Sequence, residues 1–542
     1  MSNLVRMLAL LLLVAASVGA SDNEEWSADG YNSGETQSSP SDGVPICYAD
    51  ATNKYSIPLI NDDAFMDGIT KINRERLPER LVHAKGTGAF GYFEVTHDIS
   101  HICKADFLKK VGKKTPVVLR LSTGGRERGS SDLLQDSRGY SVRFYTEEGN
   151  FDILGFHTEM YFYKDPLRFS TIVHGVKRTP ASNLLDLNTF WDAVTLIPDS
   201  LNFFVRIFSD RGIPASYRNM PGHSIHTYQI ENDSGDYHFV RFHFIPDAGV
   251  KTLNVQDAMT LGATDPDYAI RDLYEAINKG EFPSWTVSAQ ILTKADVKKI
   301  GPRCFDVTRL IRTDEFPLHP IGKIVLNKNA ENFQNDIEKL ALCPCNLVPG
   351  ILGAPDKIFE SRAQIYHDTQ LYRLGKNHNK IPVNCPLRTI FTYNRDGMPP
   401  VGNNDGNAPN YYPNSFGGPQ PYDKESYSNK TCKGSGLIKI IENKGVDNLD
   451  QVADFYNELT NEGRTILIEN LKTPLLMVHD FIQKRALRRV TQCTTRRAAS
   501  RKNPLSSSDT SPGVRVIAAV ASRSYGAGRR IPEGKRVGCV MD

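Results

Sequence analysis

A chain of 542 residues with 40% hydrophobic content is long enough for a large core or for two or three domains. Its 41 glycines and 31 prolines are spread along the whole length, which excludes a plain helical bundle and points to a loop-rich protein. The net charge of +3 conceals an asymmetry: from Lys484 onward there are 14 Lys/Arg against three acidic residues, leaving 51 basic and 59 acidic residues in the mildly acidic remainder.

In chain order, "MSNLVRMLALLLLVAASVGASDNEE" has a short basic start, an apolar run and a small-residue end, with Val18 and Ala20 fitting cleavage before Ser21. The run is too short to span a bilayer, so residues 1–20 read as a secretory signal peptide and the mature chain as secreted, with no membrane span. Residues 21–45 are polar and Ser/Gly/Pro-rich, a disordered leader. Over 82–325, β-rich runs recur between turn residues: "FGYFEVTHDI", "TPVVLRLST", "YSVRFYTEEGNFDIL" with a hairpin around Glu148-Gly149-Asn150, "HTYQI" and "YHFVRFHFI". Several alternate, which favours an antiparallel barrel carrying helical insertions such as "DPDYAIRDLYEAINKG", closed by Gly280. Residues 326–440 are rich in Pro, Asn and Gly with little periodicity, as expected of a segment that wraps another surface. Residues 441–490 contain two or three amphipathic helices, and 491–542 form a basic tail, expected to be disordered and suited to contact with polyanions.

The nine cysteines are scattered and odd in number. "LCPCN" is too tight for an easy bridge between its own two cysteines, and no C-x-x-C pair exists for zinc. Asn232-Asp233-Ser234 and Asn429-Lys430-Thr431 are sequons that suit glycans in an exported chain.

Chemistry concentrates in a few places. "SRAQIYHDTQLYRLG", read as a helix, puts Arg362 and Tyr366 one turn apart and Arg373 two further turns on, all on one face. A solvated face is the plain explanation. The chemical one is a phenol whose anionic form an adjacent guanidinium favours, a known protein ligand of haem iron, with Arg373 free for a carboxylate. In "PVVLRLST", Arg120 and Ser122 at i and i+2 point to the same side of an otherwise aliphatic strand, where a buried Arg and Ser need partners. His83, in "LVHAKGTGAFGYFEV", precedes two glycines and an aromatic strand; alone it would read as a structural histidine.

Together and in this order, the runs resemble the haem catalases. The matching segments include "RERLPERLVHAKGTGAFGYFEVTHDI", "KKTPVVLRLST", "DPDYAIRDL", "IPVNCPLR", "NAPNYYPNSFGGP" and "FIQKRAL", across roughly residues 46–488. The resemblance implies an α+β catalase fold: an antiparallel eight-stranded β-barrel with an N-terminal arm over 46–81, the barrel over 82–325, an irregular wrapping segment and C-terminal helices. It implies a homotetramer, hydrogen peroxide as the small-molecule substrate and no nucleic-acid partner. His83 matches the distal histidine, Ser122 its hydrogen-bond partner, Tyr366 the iron ligand and Arg362 its activating partner. Arg80, Arg120 and Arg373 match the arginines at the haem propionates, and Phe169 the aromatic packed on the haem.

The chain also departs from that pattern. The position of the distal asparagine is Phe156, followed by His157, and a phenyl ring cannot donate a hydrogen bond to peroxide. Gly124 and Gly125 replace larger apolar residues of the channel wall. Asn202, Arg206, Ile245, Ile311 and Thr313 stand where the NADPH-binding members carry His, Phe, Lys, Trp and His, although Ser209 and Arg211 remain, so NADPH is not expected. Three readings follow: a secreted catalase impaired by Phe156, a haem peroxidase acting on organic hydroperoxides, and a secreted haem-binding pseudo-catalase.

Overall fold

The structure, a computed structural model, describes residues 58–398, 404–420 and 448–500, together with 39, 41–44 and 402. The expected signal peptide, most of the leader, the Asn429 sequon and the tail beyond Ser500 lie outside the described residues. The chain divides into two compact units, Met1–Leu77 and Pro78–Asp542. In the first, helix α1 (Asp63–Ile72) is capped by Asp62, whose carboxylate accepts from the Phe65 N–H at 2.9 Å.

The second unit is built on strands β1 (Gly86–Val95), β2 (Lys114–Thr123), β3 (Arg138–Thr146), β4 (Gly149–Phe156) and β5 (Gly222–His223), followed by β6 (Tyr228–Glu231), β7 (Tyr237–Pro246), β8 (Ser284–Leu292), β9 (Leu318–Asn329) and β10 (Ile351–Gly353). Antiparallel pairing runs β1–β2–β3–β4–β5–β7–β8–β9 and returns from β9 to β1, closing an eight-stranded barrel, while β6 and β10 extend one side from β7. Closure leaves these eight strands no open edge. The expected hairpin is present, but its turn is Glu147–Glu148, because Gly149 at φ 132° already pairs with Thr146 as the first residue of β4.

Alternation along β2 decides where the site lies. Val117, Leu119 and Leu121 join the main core with Phe93, Phe144, Phe151 and Trp285. Val118 faces the other way, against Leu154, Ile337 and Leu340. Arg120 and Ser122 share the Val118 side, so the two polar residues leave the barrel interior together. Each fully buried aromatic of the core contributes about 1.5–3 kcal/mol through area removed from water.

The helices lie outside the strands: α2 (Arg168–Val176), α3 (Leu187–Leu196), α4 (Leu201–Ile207), α5 (Val255–Thr264), α6 (Tyr268–Asn278) and α7 (Lys294–Ile300) between them, then α8 (Lys357–Leu374), α9 (Leu449–Glu458), α10 (Asn461–Leu475) and α11 (Asp480–Ser500). Gly280 at φ 80° turns the chain away after α6, as its position in the sequence suggests. α11 continues ten residues past the expected boundary at 490; "TQCTTRRAAS" contains no Gly or Pro to stop it. Among the described residues no helix is long and apolar enough to cross a membrane.

One expectation is overturned. Cys343 and Cys345 are disulfide-bonded to each other. Residues two apart on a strand share a face but stand about 6.6 Å apart along it, whereas Cys343-Pro344-Cys345-Asn346 is a turn closed by the Asn346 N–H on the Cys343 carbonyl at 3.0 Å. That turn draws the two Cα atoms in to 5.1 Å.

Candidate active site

A cavity of about 980 Å³ lies against the outer face of β2–β4, with His83, Arg120 and Phe156 on its barrel wall and Tyr366 on α8. Phe169, on α2, lines the same space, as do Arg80, Arg362 and Arg373. Ser122 stands behind His83 rather than in the lining. The cavity thus gathers residues whose positions in the chain differ by almost 300.

His83 is held in an unusual backbone conformation, φ 62°, a region non-glycine residues seldom occupy. Two hydrogen bonds enforce it: its N–H donates to the Gly124 carbonyl at 2.7 Å, and its carbonyl accepts from Arg120 Nη2 at 2.8 Å. The ring Nδ1 lies 3.0 Å from the Thr123 carbonyl and 3.1 Å from Ser122 Oγ. A carbonyl can only accept, so Nδ1 carries the hydrogen and Nε2 is the bare nitrogen. Burial, aided by repulsion from Arg120 and only partly opposed by the Thr123 bond, lowers the His83 pKa to about 3. The imidazole is therefore neutral, with the lone pair of Nε2 unoccupied.

Phe156 ends β4, buried, with its ring centroid 5.6 Å from that of His83 and 5.7 Å from both Tyr161 and Phe203. His157 does not replace it. The His157 N–H donates to the Arg138 carbonyl at 3.0 Å and its Nδ1 accepts from the Arg138 N–H at 3.0 Å, placing the imidazole outside the cavity lining.

Opposite His83, α8 begins at Asp356, whose Oδ1 caps the Phe359 N–H at 2.8 Å and whose Oδ2 lies 2.9 Å from His226 Nδ1. His226 Nε2 lies 2.8 Å from Arg362 Nη1, which can only donate, so Nδ1 of this neutral ring is the donor to Asp356. Arg362 also donates to the Leu154 carbonyl at 2.9 Å, and its guanidinium lies 5.6 Å from the Tyr366 ring centroid. Burial works to lower the Arg362 pKa, but the phenols of Tyr366 and Tyr161 outweigh it and raise it. Asp356, His226, Arg362 and Tyr366 form one chain of contacts ending at the cavity.

The remaining arginines gather around one acid. Arg373 Nη2 is 2.7 Å from Glu338 Oε1, Arg80 Nη1 is 3.5 Å from the same oxygen, and Arg80 Nη2 donates to the Ile337, Glu338 and Leu340 carbonyls. Burial, then repulsion from Arg120 and Arg373, drives the Arg80 pKa well down; burial takes Arg120 to about 10. Arg120 Nε is buried with no hydrogen-bond partner. Arg80, Arg120 and Arg373 against Glu338 leave an excess of two positive charges.

Sequence reasoning gave no role to His226, Asp356, Glu338 or Gly139. His226 opens the run "HTYQI", yet its partners Asp356 and Arg362 are 130 and 136 residues away. Near α4, Asn202 donates to the Thr308 carbonyl at 2.9 Å and to Gln451 at 3.2 Å, while Arg206 stacks 4.4 Å over Phe455 of α9. These residues are committed to one another.

Comparison with known proteins matches this arrangement to one family. The sequence model described as Catalase covers residues 41–418. The chain is 42% identical over 456 residues to catalase of Drosophila melanogaster, spanning 83% of this chain and 90% of that one. It is 44% identical over 430 residues to catalase of Methanosarcina barkeri, spanning 79% and 85%. Its fold is similar to catalase A from Saccharomyces cerevisiae, with a TM-score of 0.79 at 34% identity over 89% of this chain and 99% of that one. The barrel, the cavity on its flank and this similarity over most of the sequence agree, and the chain belongs to the catalase family.

Proposed function

We propose that the cavity binds haem, with Tyr366 as the protein ligand of its iron, and that the chain decomposes hydrogen peroxide to water and oxygen. The observation that carries this reading is the placing of His83 and Tyr366 on one cavity beside three arginines that exceed Glu338 by two charges. Haem brings two propionates, and the unpartnered Arg120 Nε is a buried donor that such a carboxylate would satisfy. Arg80, Arg120 and Arg373 would hold the propionates, and Phe169 would pack on the macrocycle. When bound, haem supplies the iron at which the peroxide O–O bond is broken and to which a second peroxide returns electrons.

The chain's own residues manage the proton. His83, neutral and with Nδ1–H anchored on Thr123 and Ser122, offers Nε2 to one peroxide oxygen and returns the proton to the other. Arg120 fixes the backbone that aims this ring. Arg362, braced by His226 and the Leu154 carbonyl, places positive charge beside the Tyr366 phenol. Phe156 sets an apolar ring beside His83 and gives peroxide no hydrogen bond, so turnover is reduced relative to a member with an amide there.

Purified protein tests the reading with an absorption spectrum and oxygen evolution on one sample; the absence of haem after reconstitution overturns it. A second reading, organic-hydroperoxide conversion, is favoured by the aromatic wall of Phe156, Tyr161, Phe162 and Phe203. Product analysis with a lipid hydroperoxide decides between them. NADPH is not a cofactor in this proposal, because Asn202, Arg206 and Phe455 already fill one another's contacts; nucleotide carried through purification in stoichiometric amount refutes it. Export is proposed from the N-terminal segment alone, and a mature N-terminus at Ser21 in secreted protein is the expected result. A homotetramer is proposed from family membership, for light scattering to test.

A further inference from the structure

The Cys343–Cys345 bridge closes a loop containing only Pro344. So short a loop removes little entropy from the unfolded chain, so the bridge adds little to stability. Nor is it needed to hold the segment. The Cys343 N–H donates to Asp152 Oδ2 at 2.9 Å, Asn346 Nδ2 donates to the same oxygen at 2.7 Å, and the Asp152 N–H donates to the Asn346 carbonyl at 3.1 Å. Asp152 is itself gripped by both arms of the buried Arg143, each at 2.8 Å, and Arg143 also donates to the Ala341 carbonyl at 2.6 Å. The turn is thus anchored independently of its sulfurs.

The two sulfurs have unequal surroundings. Cys345 is exposed, whereas Cys343 is buried, 7% accessible. The Cys345 N–H donates to Cys343 Sγ at 3.3 Å, and the Ala363 carbonyl on α8 lies 3.9 Å from the same sulfur. One sulfur is open to attack, and the other is provided with a donor for a departing thiolate and an acceptor for the thiol formed from it.

We propose that Cys343–Cys345 is a thiol–disulfide exchange site, separate from the peroxide site, whose substrate is a dithiol reductant. A thiolate of the dithiol attacks Cys345 Sγ, forming a mixed disulfide there. The Cys343–Cys345 S–S bond breaks, and its electron pair leaves on Cys343 Sγ, beside the Cys345 N–H. That thiolate takes a proton and the new thiol donates to the Ala363 carbonyl. The second thiolate of the dithiol then attacks its own sulfur in the mixed disulfide and releases Cys345. Two electrons and two protons pass to the protein, and the dithiol becomes a disulfide.

The test treats the folded full chain with dithiothreitol at neutral pH, quenches with N-ethylmaleimide and maps the peptides. The peptide holding Cys343 and Cys345 should gain two maleimides after reduction and none before it, while the buried Cys103 and Cys304 stay unlabelled in both. A bridge that is reduced only after denaturation overturns the proposal, and so does labelling of both cysteines without reductant. In a second arm, Cys343→Ser incubated with glutathione disulfide should form a mixed disulfide at Cys345, whereas Cys345→Ser should leave Cys343 unmodified. Equal modification of the two variants removes the assigned asymmetry and overturns the mechanism.

Discussion

Gly139 faces His83 across the strand with no room for a side chain: a Cβ built there lies 2.7 Å from His83 Nδ1 and 2.7 Å from Ser122 Oγ. Gly139 pairs with Ser122 on one side and with Phe156 on the other, so its backbone cannot retreat without disturbing both neighbours. Gly139→Ala should therefore push the imidazole off its Thr123 and Ser122 contacts. A displacement of about 1 Å costs on the order of a hundredfold in turnover, with about 1–3 kcal/mol of stability lost to overpacking. Haem content should be unchanged. Steady-state oxygen evolution checks this, and the double variant with His83→Ala should be no slower than His83→Ala alone, since both act through one ring. Additive losses would show that Gly139 matters for another reason.

Tyr366→Phe removes one oxygen atom and leaves the ring packed against Val118, Leu154 and Leu340. The melting temperature of the apoprotein should move little, while haem is lost or its absorption spectrum changes. Arg362→Leu should do more damage, because it also strips His226 Nε2 and the Leu154 carbonyl of their donor; each buried group left unsatisfied costs about 1–3 kcal/mol. A normal spectrum with full turnover in Tyr366→Phe would end the assignment of this residue as the ligand.

The parts of the site legible in the sequence were those fixed by local periodicity. Arg120 and Ser122 stand two apart on a strand, and Arg362, Tyr366 and Arg373 share one helix, so their relative facing follows from geometry within a single element. Glu338, Asp356 and His226 were not legible. Their importance rests on contacts between segments far apart in the chain, and Glu338 sits in a π-helical turn, Gln334–Glu338, that no apolar period announces. The positive φ of His83 was equally hidden, since backbone hydrogen bonds to Gly124 and Arg120 impose it against the residue's own preference. The Cys343–Cys345 bridge is hidden in the sequence because so short a spacing looks too tight to close, whereas the turn through Pro344 sets the two Cα atoms 5.1 Å apart.

Acid should destabilise the fold in a defined window. His83, His157 and His243 each have folded pKa values of about 3, lowered chiefly by burial, against about 6.5 for an unfolded imidazole. Between those values the unfolded chain binds protons that the folded chain refuses, so stability falls as pH drops from about 6.5 towards 3 and is fully retained above it. Each imidazole accounts for about 2 kcal/mol by pH 5. His243, 2.8 Å from His223 and outside the cavity lining, gives a clean test. The difference in urea stability between pH 7 and pH 5 should shrink by about that amount in His243→Gln. An unchanged difference would mean that His243 does not resist protonation in the folded protein.

Phe156 offers the sharpest separation of rate from stability. Its ring packs against Tyr161, Phe162 and Phe203, so replacing it by a smaller polar side chain should cost about 3–5 kcal/mol, as truncation of a buried Phe does. Catalysis should move the other way. An amide at this position restores one hydrogen bond to peroxide, worth about 0.5–1.5 kcal/mol, or about three- to tenfold in rate if expressed in the transition state. Phe156→Asn should then melt at a lower temperature yet turn over peroxide about three- to tenfold faster per bound haem. His157 gives no route to rescue, because its Nδ1 is engaged by the Arg138 N–H and its ring lies outside the cavity lining. Rates normalised to haem content, measured well below the melting temperature, check both halves of the prediction. A slower variant at full haem loading would show that the phenyl ring takes part in catalysis here, as a wall that holds His83 or an apolar substrate in place.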